Sequence, residues 1–227
     1  MSGWSQATLS QNEVAGPGLH RLTLEVPVAV SSGFHTAGQY HRVRLPSGQD
    51  ASFAIASPPG AARFEYLVRA SAGVAGELTA LAPGAQVEVS VPMGPGFPVP
   101  RARGKNLLVI GTGTGFAPLR SVLLAIAAER AAFGEVHGAY GVLTPAHLAF
   151  GRELADWERA GLHIIPTVTA SAAGWTGAVG QVQHLVSRLP VERSELAFVC
   201  GQNEMVAEIT DLLGQRGIPP DRVFVNF

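Results

Sequence analysis

Cysteine is almost absent from this sequence: its 227 residues include one, Cys200. One thiol cannot form an intramolecular disulfide, a four-cysteine zinc site or a cysteine-ligated iron–sulfur cluster within the chain. The seven histidines show no spacing typical of metal ligands. We therefore predict no metal site in this chain, and any metal centre that serves its function would lie on a partner.

An excess of charge of one sign is also lacking, since 16 basic residues face 17 acidic ones. Such a balance gives no general attraction to the phosphate backbone of nucleic acids. No apolar run is long enough to span a bilayer, and the first residues lack the basic start and apolar core of a secretory signal. We expect a cytoplasmic protein with no membrane span and no nucleic-acid partner.

The first hundred residues are rich in short β-type runs separated by glycine, proline and serine. Apart from a single turn at 77–81, no pattern of helical length interrupts them. Such a succession indicates a small antiparallel barrel or sandwich. The predicted strands cover residues 19–26, 40–45, 52–56, 63–69 and 86–91.

After the proline- and glycine-rich passage 92–100, β-type runs alternate with segments whose apolar residues have helical spacing. This alternation predicts an α/β domain with a doubly wound parallel sheet. We therefore divide the chain into domains at 1–102 and 103–227. The predicted strands are 106–110, 135–140, 162–169, 195–200 and 222–225, and the predicted helices are 116–132, 145–160, 179–188 and 204–216.

A glycine-rich turn connects the first of these strands to the first helix. It consists of Gly111, Thr112, Gly113, Thr114 and Gly115, followed by Phe116, Ala117 and Pro118. Glycines let a backbone turn sharply and approach a ligand closely, and the N–H groups at a helix N-terminus favour a pyrophosphate. A tight strand-to-helix connection can also need glycine for steric reasons alone. The succession of strand, turn and helix favours a dinucleotide site.

The segment 111–118, followed much later by Cys200, Gly201 and Met205, resembles the NAD(P)-binding domain of the ferredoxin-NADP reductase superfamily. Its spacing, GxGxG and then Ala-Pro, differs from the GxGxxG of dehydrogenases. In the N-terminal half, residues 38–40 look like the loop and strand that precede the flavin site. Residues 53–57 stand where the superfamily has its Arg-x-Tyr-Ser-Ile-Ala-Ser motif. The resemblance covers nearly the whole chain.

The resemblance implies an N-terminal β-barrel that holds FAD, or less often FMN, and a C-terminal domain that brings the nicotinamide against the flavin ring. A hydride would pass from nicotinamide C4 to flavin N5, and the electrons would leave for a separate acceptor protein or a small molecule. The implied cofactor-binding residues are Phe53, Ala54, Ile55, Ser57, Val68, Arg69, Gly73, Val74, Ala75, Gly76, Gly111, Thr112, Gly113, Thr114, Gly115, Phe116, Ala117, Pro118, Cys200, Gly201, Gln202 and Met205.

The flavin motif departs from the family pattern. The arginine, tyrosine and serine of the motif are replaced by Ala51, Phe53 and Ala54. Phe53 can still stack on the ring, and main-chain groups at 54–56 can still bond its edge. In the later Gly-x-x-Ser turn, residues 73–76 lack the hydroxyl, and Arg69 is a candidate replacement cation. We expect flavin to bind more weakly than is usual in the family.

Two residues are candidate catalytic residues by the resemblance. Cys200 would contact the nicotinamide near C4, and Phe227 would cover the flavin until the nicotinamide enters. A lone cysteine can instead be a buried, inert thiol, although Gly201 and Met205 beside it favour the nicotinamide site. Phe227 can instead cap the hydrophobic edge of the sheet.

The choice between NADH and NADPH depends on the end of the predicted strand 162–169. A serine–arginine pair commonly holds the 2′-phosphate there in the superfamily, but this chain has Thr169, Ala170 and Ser171. NADH is therefore favoured over NADPH. Arg152 is an alternative cation for the ribose, and His41 is the histidine expected nearest the flavin.

Three functions remain open. The leading hypothesis is an NADH-dependent flavin oxidoreductase that feeds electrons to a separate acceptor. A variant of it is a flavin reductase that uses flavin as a loosely bound substrate. The non-enzymatic alternative is a reductase-like subunit that has lost stable flavin and acts in assembly or regulation. An oligonucleotide-binding barrel is suggested by the β-rich N-terminal half alone, and the charge balance counts against it.

Overall fold

The computed structural model describes residues 3–226, and within them the chain forms two six-stranded sheets, one antiparallel and one parallel. The antiparallel sheet precedes the parallel one in the sequence, as the residue patterns predict. The two-part fold class is therefore confirmed. Phe227 lies outside the described residues, and its suggested role stays a prediction.

The antiparallel sheet occupies the N-terminal half. Its elements are β1 (Trp4–Gly16), β2 (Leu19–Glu25), α1 (Val28–Ser31), β3 (Tyr40–Arg44), β4 (Asp50–Ala54), β5 (Arg63–Arg69), α2 (Val74–Ala80) and β6 (Gln86–Ser90). The strand order is β4-β3-β6-β1-β2-β5. The two edges of the sheet meet where Ala56 N–H donates to the Glu65 carbonyl oxygen at 2.7 Å, which curls the sheet toward a barrel.

Strand β1 was not predicted, although it runs for 13 residues. Its first part has the expected alternation, with Ala7 and Leu9 buried. The register then shifts between Leu9 and Gln11 and again between Val14 and Gly16. Each bulge moves the following side chains to the other face, so the period-two pattern disappears from the sequence. Pairing with β2 and β6 on its two sides holds the strand in place.

The parallel sheet occupies the C-terminal half. Its elements are β7 (Leu107–Thr112), α3 (Phe116–Ala128), β8 (Val136–Val142), α4 (Leu154–Arg159), β9 (Leu162–Val168), β10 (Ala178–Val179), β11 (Leu196–Cys200), α5 (Asn203–Gln215) and β12 (Val223–Val225). The order is β10-β9-β8-β7-β11-β12. After β7 the chain adds β8, β9 and β10 on one side of that strand, and it then crosses back to add β11 and β12 on the other side. The place beside β7 where this direction reverses is the switch point of the sheet, and open α/β sheets bind ligands there.

Two predicted helices are wrong in kind or extent. Residues 145–160 form 3₁₀ turns at Pro145–His147 and Gly151–Glu153 before α4 begins. The segment predicted as the helix 179–188 is β10 followed by a 3₁₀ helix at Val182–Arg188. Its buried residues are Val182, Leu185 and Val186, and spacings of three and four suit both helix types. The apolar pattern therefore could not separate them.

An apolar cluster crosses from one sheet to the other. It joins Leu67 and Phe97 of the N-terminal half to Phe116 and Phe198 of the C-terminal half. The rings of Phe97 and Phe198 stack with centroids 5.0 Å apart. The two sheets thus share buried surface beside the switch point. No helix within residues 3–226 is both long and apolar enough to cross a membrane.

Candidate functional site

A cleft of about 1130 Å³ lies between the two sheets at the switch point. Ligand pockets usually measure about 300–1,000 Å³, so this cleft can hold large parts of two cofactors. The antiparallel half contributes the ends of β4 and β5, and the parallel half contributes the ends of β7 and β11. The predicted site residues that line it are Phe53, Ala54, Val68, Arg69, Ala75, Thr112, Gly113, Thr114, Gly115, Ala117, Pro118, Cys200, Gly201, Gln202 and Met205.

The three glycines of the turn after β7 have different roles. Gly113 has φ +52°, and a Cβ there would come within 4 Å of Arg69 alone among the described residues. Gly115 instead packs against the backbone of Gly201, because a Cβ added at Gly115 would lie 2.8 Å from the Gly201 Cα. A Cβ at Gly111 would lie 2.9 Å from the Cys200 carbonyl oxygen. Packing requires Gly111 and Gly115, whereas Gly113 opens toward the cleft.

The start of α3 is suited to an anion. No side chain of the described chain caps the 3₁₀ turn Gly113–Gly115 or the helix that follows it. The N–H groups of a first helical turn have no partner within the helix, and they carry the positive end of its dipole. Pro118 lies in this first turn, where a missing N–H costs no hydrogen bond. The turn therefore fits a pyrophosphate.

The predicted flavin segment only partly faces the cleft. Phe53 and Ala54 line it, and Tyr40 lies beside them on the neighbouring strand β3. Ile55 and Ser57 are buried behind this wall. Ile55 N–H donates to the Gln39 carbonyl oxygen at 3.0 Å, so that amide and the Ala56 amide are already satisfied. Main-chain N–H and C=O groups at 54–56 were expected to bond the flavin. The Ile55 and Ala56 N–H groups and the Ala56 carbonyl group, which accepts from Arg120, are occupied within the protein, so the expectation is narrowed to the remaining groups beside Ala54.

The turn at residues 73–76, which corresponds to the Gly-x-x-Ser turn of the superfamily, also has a structural role. Gly73 precedes α2 with φ +77°, and a Cβ at Gly76 would collide with the Ser71 carbonyl oxygen. Of residues 73–76, Ala75 alone is among the residues that line the cleft. Arg69 lies close by, with Nη2 3.9 Å from the Cβ position of Gly113. One guanidinium therefore stands between the flavin side and the dinucleotide turn.

Cys200 ends β11 on the floor of the cleft and is 7% exposed. Its thiol donates to the Asn226 carbonyl oxygen at 3.1 Å. Burial raises the pKa of this thiol to about 12, although the Gly201 backbone opposes the shift. Cys200 is therefore a neutral thiol near pH 7. It is suited to packing against a ring and unsuited to act as a nucleophile.

Several cleft residues were missed by the sequence analysis. They lie at the carboxyl end of β8, around β10, along α5 and directly after β12: Gly141, Val142, Leu143, Gly180, Gln181, Val182, Gln183, Glu204, Glu208 and Asn226. Since carboxyl ends of parallel strands meet at one edge, the strand ends could have been found from the predicted sheet. The segment 180–183 could not, because its short strand went unpredicted. Gly111 and Phe116 lie behind the lining, and Arg152 is exposed away from it.

His41 does not approach the cleft. Its neighbour Tyr40 faces the cleft, and alternation along β3 turns His41 into the barrel core. There its Nε2 lies 2.5 Å from the Tyr66 hydroxyl, and the two rings stack. Burial lowers the pKa of His41 to about 4. The prediction of a histidine near the flavin is therefore wrong, since this residue is a neutral core group.

The fold and the cleft are those expected of a dinucleotide-binding protein, because the glycine turn and the uncapped start of α3 lie at the switch point of the parallel sheet. A family model for the oxidoreductase NAD-binding domain matches residues 109–211. Ferredoxin–NADP reductase B of Sorangium cellulosum is 32% identical over an alignment of 201 residues, and the match covers 80% of this chain and 80% of that one. The chain belongs to the ferredoxin–NADP reductase superfamily of FAD/NAD(P)-binding oxidoreductases, as the residues around the glycine turn predict.

Two further similarities agree with this membership. Sulfhydrogenase 1 subunit gamma of Pyrococcus furiosus is 30% identical over 197 residues, which cover 83% of this chain. The chain spans 66% of that subunit, less than two thirds of its length. A ferredoxin NADP⁺ reductase from Neisseria gonorrhoeae, solved with bound FAD and NADP, has a TM-score of 0.85. The match covers 100% of this chain and 99% of that one at 20% identity, which shows a common fold.

Proposed function

We propose that this protein is an NADH-dependent flavin oxidoreductase that passes electrons to a separate acceptor. The observation that carries the proposal is the shared cleft. It brings Phe53 and Ala54 of one sheet opposite Gly113 and Cys200 of the other. In this proposal residues 1–102 form the flavin-binding domain and residues 103–227 the NAD(P)-binding domain.

The dinucleotide is held by the parallel half in this proposal. The free N–H groups of the turn at Gly113–Gly115 bind its pyrophosphate, and the open space at Gly113 allows the close approach. The Cys200 thiol packs beside the nicotinamide. The thiol hydrogen would stay engaged by the Asn226 carbonyl oxygen while the sulfur packs against the ring.

The flavin is held by the antiparallel half. Tyr40 and Phe53 supply aromatic surface for the ring, and Arg69 supplies a cation for its phosphate. When bound, the flavin would accept a hydride from the nicotinamide and release its electrons singly. The protein residues orient the two rings and exclude water from the space between them.

The preference for NADH rests on the charges of the cleft. Arg69, on the flavin side, is the one cation among the described residues that line it, while Glu204 and Glu208 lie on α5. Thr169, at the end of β9, offers a hydroxyl that donates to the Leu143 carbonyl oxygen at 3.3 Å. A 2′-phosphate would find no counterion on this side, whereas a 2′-hydroxyl needs none.

The acceptor in this proposal is a separate redox protein or a small molecule. The sulfhydrogenase relative is by name one subunit of a larger enzyme, and several other relatives are named as reductase components of oxygenases. Such names describe modules that supply electrons to another chain. The same arrangement is proposed for this protein.

Visible absorption of the purified protein tests the proposal. Bound flavin gives the spectrum of the oxidised ring, and NADH added without oxygen bleaches it. We expect NADPH to bleach it more slowly at equal concentration. If reconstitution with FAD and with FMN gives neither bound flavin nor NADH oxidation, the proposal is wrong.

A reductase-like subunit without stable flavin is the second candidate. Ala51, Phe53 and Ala54 remove three polar contacts, and the Ile55 and Ala56 amides are occupied within the barrel. Equilibrium titration of the protein with NADH and with flavin separates this subunit from an enzyme that uses flavin. A subunit of this kind would bind NADH at the glycine turn but would take up flavin at no concentration, whereas a flavin reductase would bind it reversibly and turn it over.

A further inference from the structure

Arg120 is a buried guanidinium on α3 that the proposed chemistry does not use. The residue is 6% exposed, and its Nη1 donates to the Ala56 carbonyl oxygen at 2.9 Å. Nε donates to Glu153 at 2.7 Å, and Nη1 also lies 3.0 Å from a Glu65 carboxylate oxygen. A buried guanidinium is costly unless its donors are satisfied, and here two carboxylates and a carbonyl group accept from Nε and Nη1.

The partners of Arg120 come from both halves of the molecule. Arg21 completes a four-charge group, with Nη2 2.9 Å from Glu65 and Nη1 3.1 Å from Glu153. Arg21 and Glu65 belong to the antiparallel sheet, and Arg120 and Glu153 to the parallel half. The centroid of the Phe150 ring lies 5.2 Å from the Arg120 Cζ and 5.5 Å from the Arg21 Cζ. The two positive and two negative charges therefore neutralise each other across the interface, and both guanidinium groups lie near the same aromatic ring.

Arg120 connects the two cofactor segments directly. Helix α3 begins at the glycine turn, and Arg120 lies about one turn into it. The carbonyl group that Arg120 binds belongs to Ala56, two residues after Ala54 in the wall of the cleft. A helix is stiff over this length, so a bond at Arg120 fixes the start of α3 relative to the flavin segment. The ion pairs alone would hold the two halves together, but they would not fix the position of the start of α3 relative to the flavin segment.

We propose that Arg120 is a positioning residue that sets the distance and angle between the nicotinamide and flavin sites, through its bond to the Ala56 carbonyl group. This inference rests on the proposed function. Misplacing reacting groups by about 1 Å can cost roughly 100-fold in rate. Loss of the bond therefore slows flavin reduction while leaving each cofactor's own contacts in place.

The remaining contacts between the halves keep an Arg120 variant assembled. The Asn226 Nδ2 donates to the Gly38 carbonyl oxygen at 2.5 Å, and the tip of the β1–β2 hairpin at Gly16 lies against Ala146. Arg130 provides a matched control, because its guanidinium, like that of Arg120, donates to main-chain carbonyl groups, in its case to two of them. These belong to Phe133 at 2.9 Å and Gly161 at 3.2 Å, both within the parallel half.

The test compares R120M, R120K and R130M with the wild-type chain. In flavin-free protein, hydrogen exchange is measured at the amides of Ile55 and Ala56. With flavin bound, stopped-flow absorbance follows flavin reduction over a range of NADH concentrations. Thermal unfolding of each variant reports general destabilisation.

We expect R120M to raise exchange at Ile55 and Ala56 by about tenfold or more. Its limiting rate of flavin reduction falls by roughly 10- to 100-fold, and the NADH concentration for half saturation changes by less than about threefold. R120K recovers part of the rate, because an ammonium group can still reach Ala56. R130M loses thermal stability but keeps both the exchange pattern and the rate.

Two results would overturn the positioning role: wild-type rates in R120M, or an equal loss of rate in R130M. If R120M does not fold, R120K decides by the same two measurements, since it keeps the charge. A wild-type chain whose bound flavin is not reduced by NADH overturns the proposed function and the positioning role together. Normal wild-type reduction with unaffected Arg120 variants overturns the positioning role alone.

Discussion

Gly113 and Gly115 stand two residues apart in one turn, yet different physical constraints act on them. Gly113 has the left-handed φ of +52° and faces the open cleft. Gly115 has an ordinary helical φ of −62°, but its Cα approaches the Gly201 backbone. A motif treats both glycines alike. The structure assigns ligand approach to the first and packing to the second.

Alanine substitutions separate these two constraints. We expect G113A to cost about 1 kcal/mol of stability, since a Cβ at positive φ is strained, and to weaken NADH binding by about tenfold. G115A destabilises more, by roughly 3 kcal/mol, because backbone atoms must move. Thermal unfolding and NADH titration measure the two effects. Unchanged NADH affinity in G113A would contradict the assignment of the open position to the dinucleotide.

His41 makes the stability of the barrel sensitive to acid. Burial lowers the folded-state pKa of His41 to about 4, while the unfolded chain titrates near 6.5. As pH falls below 6.5 the unfolded state gains a proton first, so stability declines until about pH 4 and then levels. This difference in pKa between the folded and unfolded states lowers the free energy of unfolding by roughly 3 kcal/mol at most.

Urea unfolding between pH 4 and pH 7 measures this loss. H41Q removes the titrating group and keeps a polar partner for Tyr66, so we expect a flatter profile. H35Q, in an exposed loop, serves as the control and should follow the wild type. A wild-type profile that stays flat over this range would contradict a neutral, buried His41.

The elements of the parallel half show which parts of a pattern are informative. Strands β7, β8, β9 and β11 are nearly continuous apolar runs, as strands covered on both faces must be, and their predicted bounds fall within two residues of those observed. The connections between them were less predictable. An apolar residue at every third or fourth position buries equally well on a 3₁₀ helix or an α-helix. The local hydrogen-bond partners therefore decide between the two, and the sequence pattern does not contain them.

The end of β9 sets the proposed nucleotide preference, which a single residue can shift. T169R adds a cation at the cleft edge, where no serine–arginine pair exists. A charge-assisted hydrogen bond is worth roughly 1.5–3 kcal/mol, so we expect NADPH binding to tighten by about 10- to 100-fold relative to NADH.

Competitive titration of NADH and NADPH measures the change. A62R, in an exposed loop of the antiparallel half, adds the same charge away from the cleft and should leave the ratio unaltered. An unchanged ratio in T169R would place the 2′-position elsewhere in the cleft.

At the scale of the whole molecule, the two sheets are connected by an apolar cluster and by a few directed bonds. Asn226 makes one of these bonds, from its side chain to the Gly38 carbonyl oxygen, and its own carbonyl group accepts the Cys200 thiol hydrogen. The last residues described thus link the floor of the cleft to the barrel. This link involves residues 188 positions apart in the chain.

Removing the Asn226 side chain should uncouple the two halves. We expect N226A to cost roughly 1–3 kcal/mol, because the buried Gly38 carbonyl group loses its donor. Calorimetry is expected to show one transition for the wild type and a broadened or divided one for N226A. S194A loses a side-chain bond to the Pro190 carbonyl oxygen within the parallel half, and it should keep a single transition. A normal transition in N226A would exclude this link as a source of coupling.

The sequence by itself determined the two-part fold, the glycine turn and the superfamily, because these depend on local periodicity and on short motifs read along the chain. Tertiary structure decided which residues meet. It turned Tyr40 toward the cleft and His41 into the core, buried Ile55 and Ser57 behind Phe53, and brought Arg120 to Ala56. Such contacts join residues far apart in sequence, and their energies depend on burial and direction. No local pattern encodes either quantity, so only the folded chain reveals them.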